Sequence, residues 1–341
     1  MRPLIISDTF ATKFGGVENH SRILAEKFKE HGYDVSSIQP HEFPSQAPKA
    51  CDIIIVEGIH RSLLLKLYVN KRFSTIPKIL FTHGSFFEIF HRNELLRTPY
   101  RFSRFFTAKK LFDRILLRRT LSTFIKVVAL SGKEVGELVS NLHLDGERVT
   151  SLQNFYDEIL DSKVEEKGSI GNEAFSLDTP YLCSISRIDR RKNFLSVLKA
   201  IKGLSVNFVL AGSDHGGLSE LLDFARVNDI TNFSYLGVIS DEVKRRLISN
   251  SLATILPSYC EGFPLFVLES LSRGKVCITT ESNYMENLDG IVLTGTDPDS
   301  IKASISTVIS RNCPIPKVRL KSNEQTFLDL MGIIQSAMKW S

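Results

Sequence analysis

The sequence predicts an α/β protein built of two successive doubly wound domains, and three observations carry that prediction. The chain has 341 residues, too many for one ordinary core and about right for two, since domains cluster near ~100–150 residues. Short runs rich in Ile and Val alternate with amphipathic stretches, the pattern of βαβ units and a parallel sheet. From Asp157 to Thr179 this rhythm stops in an acidic, glycine-containing stretch, and beyond it the alternation restarts at once.

In the first half, Pro3 to Ser7 reads as a strand, Gly15-Gly16 as a turn, Val17 to His31 as a helix and Asp34 to Ile38 as a strand. Strands at Asp52 to Glu57, Lys78 to Phe81 and Lys126 to Ala129 follow, with a helix from Lys133 to Leu142. The second half opens with a strand at Tyr181 to Ser186 and a helix at Asn193 to Lys202, then a strand at Asn207 to Ala211 and a helix at Leu218 to Asn228. Next come a strand at Phe233 to Leu236, a helix at Ser240 to Ser249, a strand at Ala253 to Pro257 and a helix at Leu265 to Ser272. Strands at Lys275 to Thr279 and Ile291 to Thr294 and a helix at Asp299 to Ser310 complete the series. The organisation expected is a first domain over 1–156, a connection over 157–179, a second domain over 180–326 and a C-terminal helix over 327–341 packing back towards the first domain.

Composition narrows the classes. With 43% hydrophobic and 24% charged residues, the chain is an ordinary globular one, and no apolar run reaches the ~20 residues of a membrane span. Met1 to Ser7 lacks the long apolar region and small-residue cleavage site of a signal peptide, so residence in the cytoplasm is expected. Cys51, Cys183, Cys260, Cys277 and Cys313 are scattered without a C-x2-C pair, which points to reduced, mostly buried thiols. Charge is uneven: from Arg97 to Lys126 nine basic residues face one acid, Asp113. A block of this kind implies an anionic partner at one place.

In doubly wound sheets ligands sit beyond the carboxyl ends of the strands, so chemistry is sought in the loops there. After the strand ending at Pro257 comes Glu261-Gly262-Phe263-Pro264-Leu265-Phe266-Val267-Leu268-Glu269. Two carboxylates placed so accept hydrogen bonds from vicinal hydroxyls, and the N–H groups that open the helix offer donors to a sugar oxygen or a phosphate. The bland alternative is a loop acid and an acid near the positive end of a helix. After the strand ending at Ser186, the loop Arg187-Ile188-Asp189-Arg190-Arg191-Lys192 would meet a pyrophosphate with basic side chains and a helix N-terminus.

The E-x7-E spacing of Glu261 and Glu269, set in Pro-Ser-x-x-Glu-Gly-Phe-Pro before an apolar helix, resembles the donor-site motif of retaining family 4 glycosyltransferases, which have the GT-B fold of two Rossmann-like domains facing across a cleft. In that resemblance Glu261 contacts hydroxyls of the transferred sugar and Glu269 holds the nucleotide ribose. Arg187 and Lys192 resemble the R-x4-K pair that neutralises the diphosphate leaving group without a metal. Gly15-Gly16-Val17-Glu18 before a helix resembles the glycine loop facing the donor phosphates, and Leu236-Gly237-Val238 the loop whose backbone meets the base. Gly262, Phe263, Pro264 and Leu265 complete the expected donor surface. His83, directly after the strand Lys78 to Phe81, takes the place of a histidine lining the transfer site, the alternative being a structural histidine at a strand end.

Two positions depart from the family pattern: Asn154-Phe155-Tyr156-Asp157 stands for Asn-Gly-Val-Asp, and Ser282-Asn283 replaces paired glycines. Asp297-Pro298-Asp299 spells a metal-binding D-x-D, yet its place before a helix reads better as an N-cap with proline in the first turn. No metal and no other cofactor is expected.

The resemblance therefore implies a retaining hexosyltransferase that moves a sugar from a UDP- or GDP-linked donor to a hydroxyl of a saccharide or lipid-linked acceptor, in polysaccharide or glycolipid synthesis. A sugar-nucleotide epimerase, a phosphorylase, or a non-catalytic nucleotide-sugar-binding protein would share the fold. In the basic block, Phe102, Phe105, Phe106, Phe112, Leu116 and Leu117 interleave with Arg114, Arg118 and Arg119 at helical spacing. Either the aromatics pack into the core, or the segment lies on the inner face of an anionic membrane beside the acceptor. No nucleic-acid partner is expected.

Overall fold

The structure, a computed structural model, describes residues 1–7, 16–58, 61–83, 117–158, 179–259, 261, 264–280, 288–310 and 320–339. It divides into two compact units, Met1–Asp157 with Lys321–Ser341, and Glu158–Leu320.

The first unit holds β1 (Pro3–Ser7), α1 (Gly16–Glu30), β2 (Ser36–Ile38), β3 (Ile53–Glu57), α2 (Arg61–Val69), α3 (Lys71–Ser74), β4 (Lys78–Phe81), β5 (Lys126–Ala129), α4 (Gly132–Leu142) and β6 (Val149–Ser151). All six strands run parallel in the order β2-β1-β3-β4-β5-β6. Along β1 and β3 successive side chains enter two different cores: Leu4, Ile6, Ile54 and Val56 on one face, Ile5, Ile53 and Ile55 on the other. Burial on both faces is why these strands read as unbroken apolar runs.

The second face is covered by α1 together with α10 (Asn323–Met338), the last helix of the chain. Phe327 of α10 meets Phe28 of α1 edge to face, 5.1 Å between ring centroids. The return to the first unit begins earlier than residue 327. Gln153 brackets Lys321 with two backbone hydrogen bonds, and the Asn323 side chain accepts from Tyr156 N–H and donates to Tyr156 C=O.

The second unit runs β7 (Tyr181–Ile185), α5 (Phe194–Ile201), β8 (Asn207–Ala211), α6 (Leu218–Val227), β9 (Phe233–Tyr235), α7 (Asp241–Asn250), β10 (Ala253–Leu256), α8 (Leu265–Ser272), β11 (Cys277–Thr280), β12 (Ile291–Thr294) and α9 (Pro298–Ile309). Its six parallel strands lie in the order β12-β11-β10-β7-β8-β9. One core joins both halves of this sheet. Asp297 caps α9, accepting from Ser300 N–H at 2.9 Å, with Pro298 in the first turn.

Three elements carry no expectation from the sequence: α2, α3 and β6. Helix α2 leaves Leu65, Tyr68 and Val69 exposed, so its pattern lacks a polar face. β6 has only three residues. The strand expected from Lys275 starts at Cys277, because Lys275 closes the turn after α8: its N–H donates to Ser270 C=O and its ammonium to Ser251 C=O. Among the described cysteines, Cys183 and Cys277 are buried and Cys51 half-buried, all as free thiols. No described helix is long and apolar enough to cross a membrane.

Candidate functional site

Each sheet has one place where strand order reverses, and there the loops from neighbouring strands diverge to opposite faces and leave a crevice. In the second unit that place lies between β7 and β10. Lys192 follows β7 and Glu261 follows β10, and the structure brings them together: the Lys192 ammonium donates to Glu261 Oε1, which also accepts from Ser258 Oγ at 3.1 Å. Their side chains retain 10% and 19% exposure, so the pair is mostly removed from water.

The local geometry sorts the four basic residues of the β7 loop. Residues Arg190–Lys192 form a 3-10 turn capped by Asp189, whose carboxylate accepts from Arg191 N–H at 2.9 Å and from the Arg191 guanidinium at 3.1 Å. Arg190 pairs with Glu220 on the surface at 3.1 Å. Those two arginines have structural partners. Arg187 is exposed, and among the described residues nothing pairs with its guanidinium.

Asn193 closes the turn in the left-handed conformation, φ 59°. Its side-chain amide does not cap α5 but donates to Pro257 C=O at 3.1 Å and Thr296 C=O at 2.8 Å, tying three loops together. Both α5 and α8 therefore begin without a side-chain cap. Pro264 has no N–H, and Val267 N–H donates to Pro264 C=O, so the open donors at the start of α8 are Leu265 and Phe266. Uncapped helix starts beside a lysine favour an anion.

Glu269, one turn into α8, is buried and paired at 3.0 Å with Lys244 of α7, which also reaches Asp241 at 3.6 Å. Lys244 is absent from the sequence expectations, since nothing in its helix pattern announces a partner on α8. Val238 is 52% exposed in the loop after β9. That loop is joined to the one after β8 by Gly212 N–H donating to Gly237 C=O at 2.7 Å. Gly212, φ 134°, passes so near the β7 loop that a Cβ there would lie 1.8 Å from the Ser186 carbonyl oxygen. Gly262 and Phe263 lie outside the described residues.

In the first unit the order reverses between β1 and β3. Glu57, the last residue of β3, is wholly buried, and its Oε2 meets two imidazoles: Nε2 of His83 in a short hydrogen bond, and Nδ1 of His20, in α1, at 3.0 Å. Burial of Glu57 works against its ionisation, but His20 and His83 outweigh that and hold its carboxyl at about 2. His20 is itself held below the ordinary imidazole range by burial, and its Nδ1 approaches the carboxylate without making a hydrogen bond.

His83 adopts φ 49°, a conformation with a cost for a non-glycine residue. Of the described non-glycine residues with positive φ, His143 and Asp229 stand just past the ends of α4 and α6, where a left-handed residue is ordinary. Asn193 instead lies in the loop after β7, at the reversal point of the second sheet, and His83 follows β4, the neighbour of β3. The atoms of His20, Glu57 and His83 lie within 4.8 Å of one another, a separation also suited to a metal ion. Sequence spacing hides this group, because its members come from three elements. An acid ending the apolar run Ile53-Ile54-Ile55-Val56 is the signal that points to it.

Gly15 lies outside the described residues, and Gly16 is the first residue of α1. Arg114 and the aromatic stripe of the basic block lie outside them as well. Of that segment Arg118 and Arg119 are exposed on helical turns over 117–121, whereas Leu117 packs partly against the core and Leu121 is buried.

Residues 168–326 match the family model described as Glycosyl transferases group 1. No curated protein matches the chain by sequence. Among solved structures, sucrose-phosphate synthase from Thermosynechococcus elongatus is similar at 13% identity, with 100% of each chain covered and a TM-score of 0.75. Anabaena HepE in complex with UDP-glucose is similar at 13% identity over 99% of this chain and 98% of that one, TM-score 0.65. The lipopolysaccharide outer core galactosyltransferase WaaB is similar at 14% identity over 98% and 99%, TM-score 0.65.

Proposed function

Because the chain is a glycosyltransferase of group 1 with the GT-B fold, we propose that it is a retaining, family 4 enzyme. Its reaction is transfer of a sugar from a UDP- or GDP-linked donor to a hydroxyl of a saccharide or lipid-linked acceptor. The observation that carries the reading is the convergence of Lys192 and Glu261 at the reversal point of the second sheet, between two uncapped helix starts. The complex of HepE with UDP-glucose supports a nucleotide-sugar donor.

In this reading the diphosphate sits against the starts of α5 and α8. Lys192 and Arg187 take up the negative charge that grows on the leaving phosphate, and fixed charges aimed there lower the barrier without a metal. Glu261, released by Lys192 as the phosphate arrives, accepts hydrogen bonds from the sugar, and Glu269, held in place by Lys244, accepts from the ribose. The acceptor hydroxyl attacks from the face the phosphate leaves, the carbon–oxygen bond to phosphate breaks, and the departing phosphate takes the proton. His83 lines the site of transfer.

For the acceptor, the similarity to a lipopolysaccharide galactosyltransferase and the basic block favour a membrane-borne saccharide. The test is release of nucleoside diphosphate from UDP- and GDP-sugars, with and without saccharide acceptors and with EDTA. Acceptor-dependent release that survives EDTA supports the reading. Interconversion of the donor sugar without release would make the chain an epimerase, and a complete, metal-reversible loss in EDTA would end the metal-free mechanism.

A further inference from the structure

The reaction as read above gives no task to Glu57 or His20, although the first unit buries both at its reversal point. A carboxylate with no exposure is costly to ionise unless donors surround it. Here two imidazoles converge on one of its oxygens, while Oε1 has no partner among the described residues. An ionised carboxylate only accepts hydrogen bonds. The ring nitrogen that hydrogen-bonds to it, Nε2 of His83, must therefore carry the proton, while Nδ1 of His20 lies 3.0 Å away without making a hydrogen bond.

His20 is an anchor rather than a reactant. Its ring is wholly buried, with Phe81 at 4.9 Å and Phe155 at 5.0 Å between centroids, and its edge abuts the His83 ring at 4.6 Å. This cage fixes the direction from which Glu57 is approached. The His83 ring is held by its hydrogen bond to Glu57 and by the edge contact with His20, on a left-handed backbone of φ 49°.

We propose that Glu57 is a positioning residue for sugar transfer: it pins His83 through Nε2, with His20 as the second anchor, so that Nδ1 is the nitrogen His83 presents to the reacting sugar. The proposal rests on the reading of His83 as a residue of the transfer site. Its chemistry is the fixing of one tautomer. A neutral imidazole whose Nε2–H is given to a carboxylate keeps its lone pair on Nδ1, where it accepts a hydrogen bond from a sugar hydroxyl. Without Glu57 the ring turns or changes tautomer, and that hydrogen bond is lost.

The experiment combines nitrogen NMR of the wild-type protein labelled at histidine with kinetics of two variants. In the wild type, His83 should show a protonated Nε2 and an unprotonated Nδ1, identified by the loss of its signal in His83→Ala. Glu57→Gln should lower kcat at least tenfold, leave the Kd for the nucleoside diphosphate within twofold, and scatter the His83 tautomer. In a His83→Ala background the same substitution should cost nothing further in kcat, and Glu57→Asp should recover part of the loss.

A His83 ring protonated on Nδ1 in the wild type overturns the proposal, as does a fully active Glu57→Gln. A divalent ion that copurifies at the cluster overturns it too, because a metal-bound nitrogen cannot donate to Glu57. The NMR result needs no variant of Glu57 to fold. Absence of any sugar-nucleotide turnover by the wild type would instead remove the enzymatic reading and leave the tautomer measurement standing.

Discussion

Lys192 and Glu261 neutralise each other across the two loops that flank the reversal point of the second sheet, each mostly buried. A cation already engaged by a carboxylate is poised by small movement to exchange that partner for a phosphate. Arg187, exposed and unpaired among the described residues, has no such competitor.

Arg187→Ala and Lys192→Ala should each lower kcat/KM by about 10²–10³-fold, the usual cost of removing one preorganised charge from a transition state. Their effects on stability differ. Arg187→Ala should leave Tm unchanged, whereas Lys192→Ala strands the Glu261 carboxylate in a half-buried loop and should lower it by a few degrees. Turnover assays and thermal melts check both, and near-normal turnover in the double variant contradicts the assignment.

Glu261 and Glu269 should separate by ligand. Glu269→Ala should weaken free nucleoside diphosphate by about tenfold or more, and Lys244→Ala should do the same in smaller measure by releasing Glu269. Glu261→Ala should weaken the sugar nucleotide far more than the bare nucleotide. Calorimetry with both ligands decides, and equal losses on the bare nucleotide would misplace Glu261.

The buried cluster of the first unit makes stability depend on pH. The Glu57 carboxyl sits at about 2 in the fold against 4.5 when free, and His20 is likewise depressed. For both, the unfolded chain binds more protons on the acid side, so their contribution is complete above the free values and is lost as pH falls. The advantage in Tm of the wild type over Glu57→Gln should be constant above pH 7, where neither group binds protons in the unfolded chain, and shrink between pH 4.5 and 2 as Glu57 is protonated. An advantage that grows on acidification contradicts the sign.

Gly212→Ala should be among the most damaging single-methyl changes in the second unit. The new Cβ would meet the Ser186 carbonyl at 1.8 Å on a backbone at φ 134°, so β8 and the β7 loop must move apart. A fall in Tm of several degrees, or insoluble protein, is expected, with donor affinity reduced in whatever folds. An unchanged melt would show that the loops are not locked here.

For the basic block, sedimentation with liposomes should show binding that requires anionic lipid and weakens with salt, since each basic residue near such a surface contributes roughly 1 kcal/mol. Changing Arg114, Arg118 and Arg119 to Glu should release the protein. If the wild type stays in the supernatant at low salt, a soluble acceptor replaces the membrane-borne one.

Much of the fold was legible before any coordinate. Local apolar runs announce strands such as Ile53–Glu57 because both faces of a parallel sheet are buried, and glycine, proline and cap residues mark helix ends within a residue or two. The weak elements escaped for the same reason: three-residue β6 and the mostly apolar α2 carry no periodicity of their own. The candidate site was half legible. Lys192, Glu261 and Glu269 follow strands in motifs with recognisable spacing, whereas Lys244, Glu57 and His20 stand alone in their segments.

By itself, then, the sequence determined what depends on neighbours along the chain: the alternation of strand and helix, the break near Asp157, the family resemblance and the loops in which chemistry resides. Tertiary structure alone decided what depends on neighbours in space. Strand order fixed which loops share a reversal point, and so paired Lys192 with Glu261 and left Arg190 and Arg191 to Glu220 and Asp189. It also gathered His20, Glu57 and His83 from three elements onto one carboxylate oxygen. The physical reason is range. Hydrophobic periodicity and capping act over a few residues, while the pairing of a buried charge is settled only when the sheet closes around it and leaves no water to serve in a partner's place.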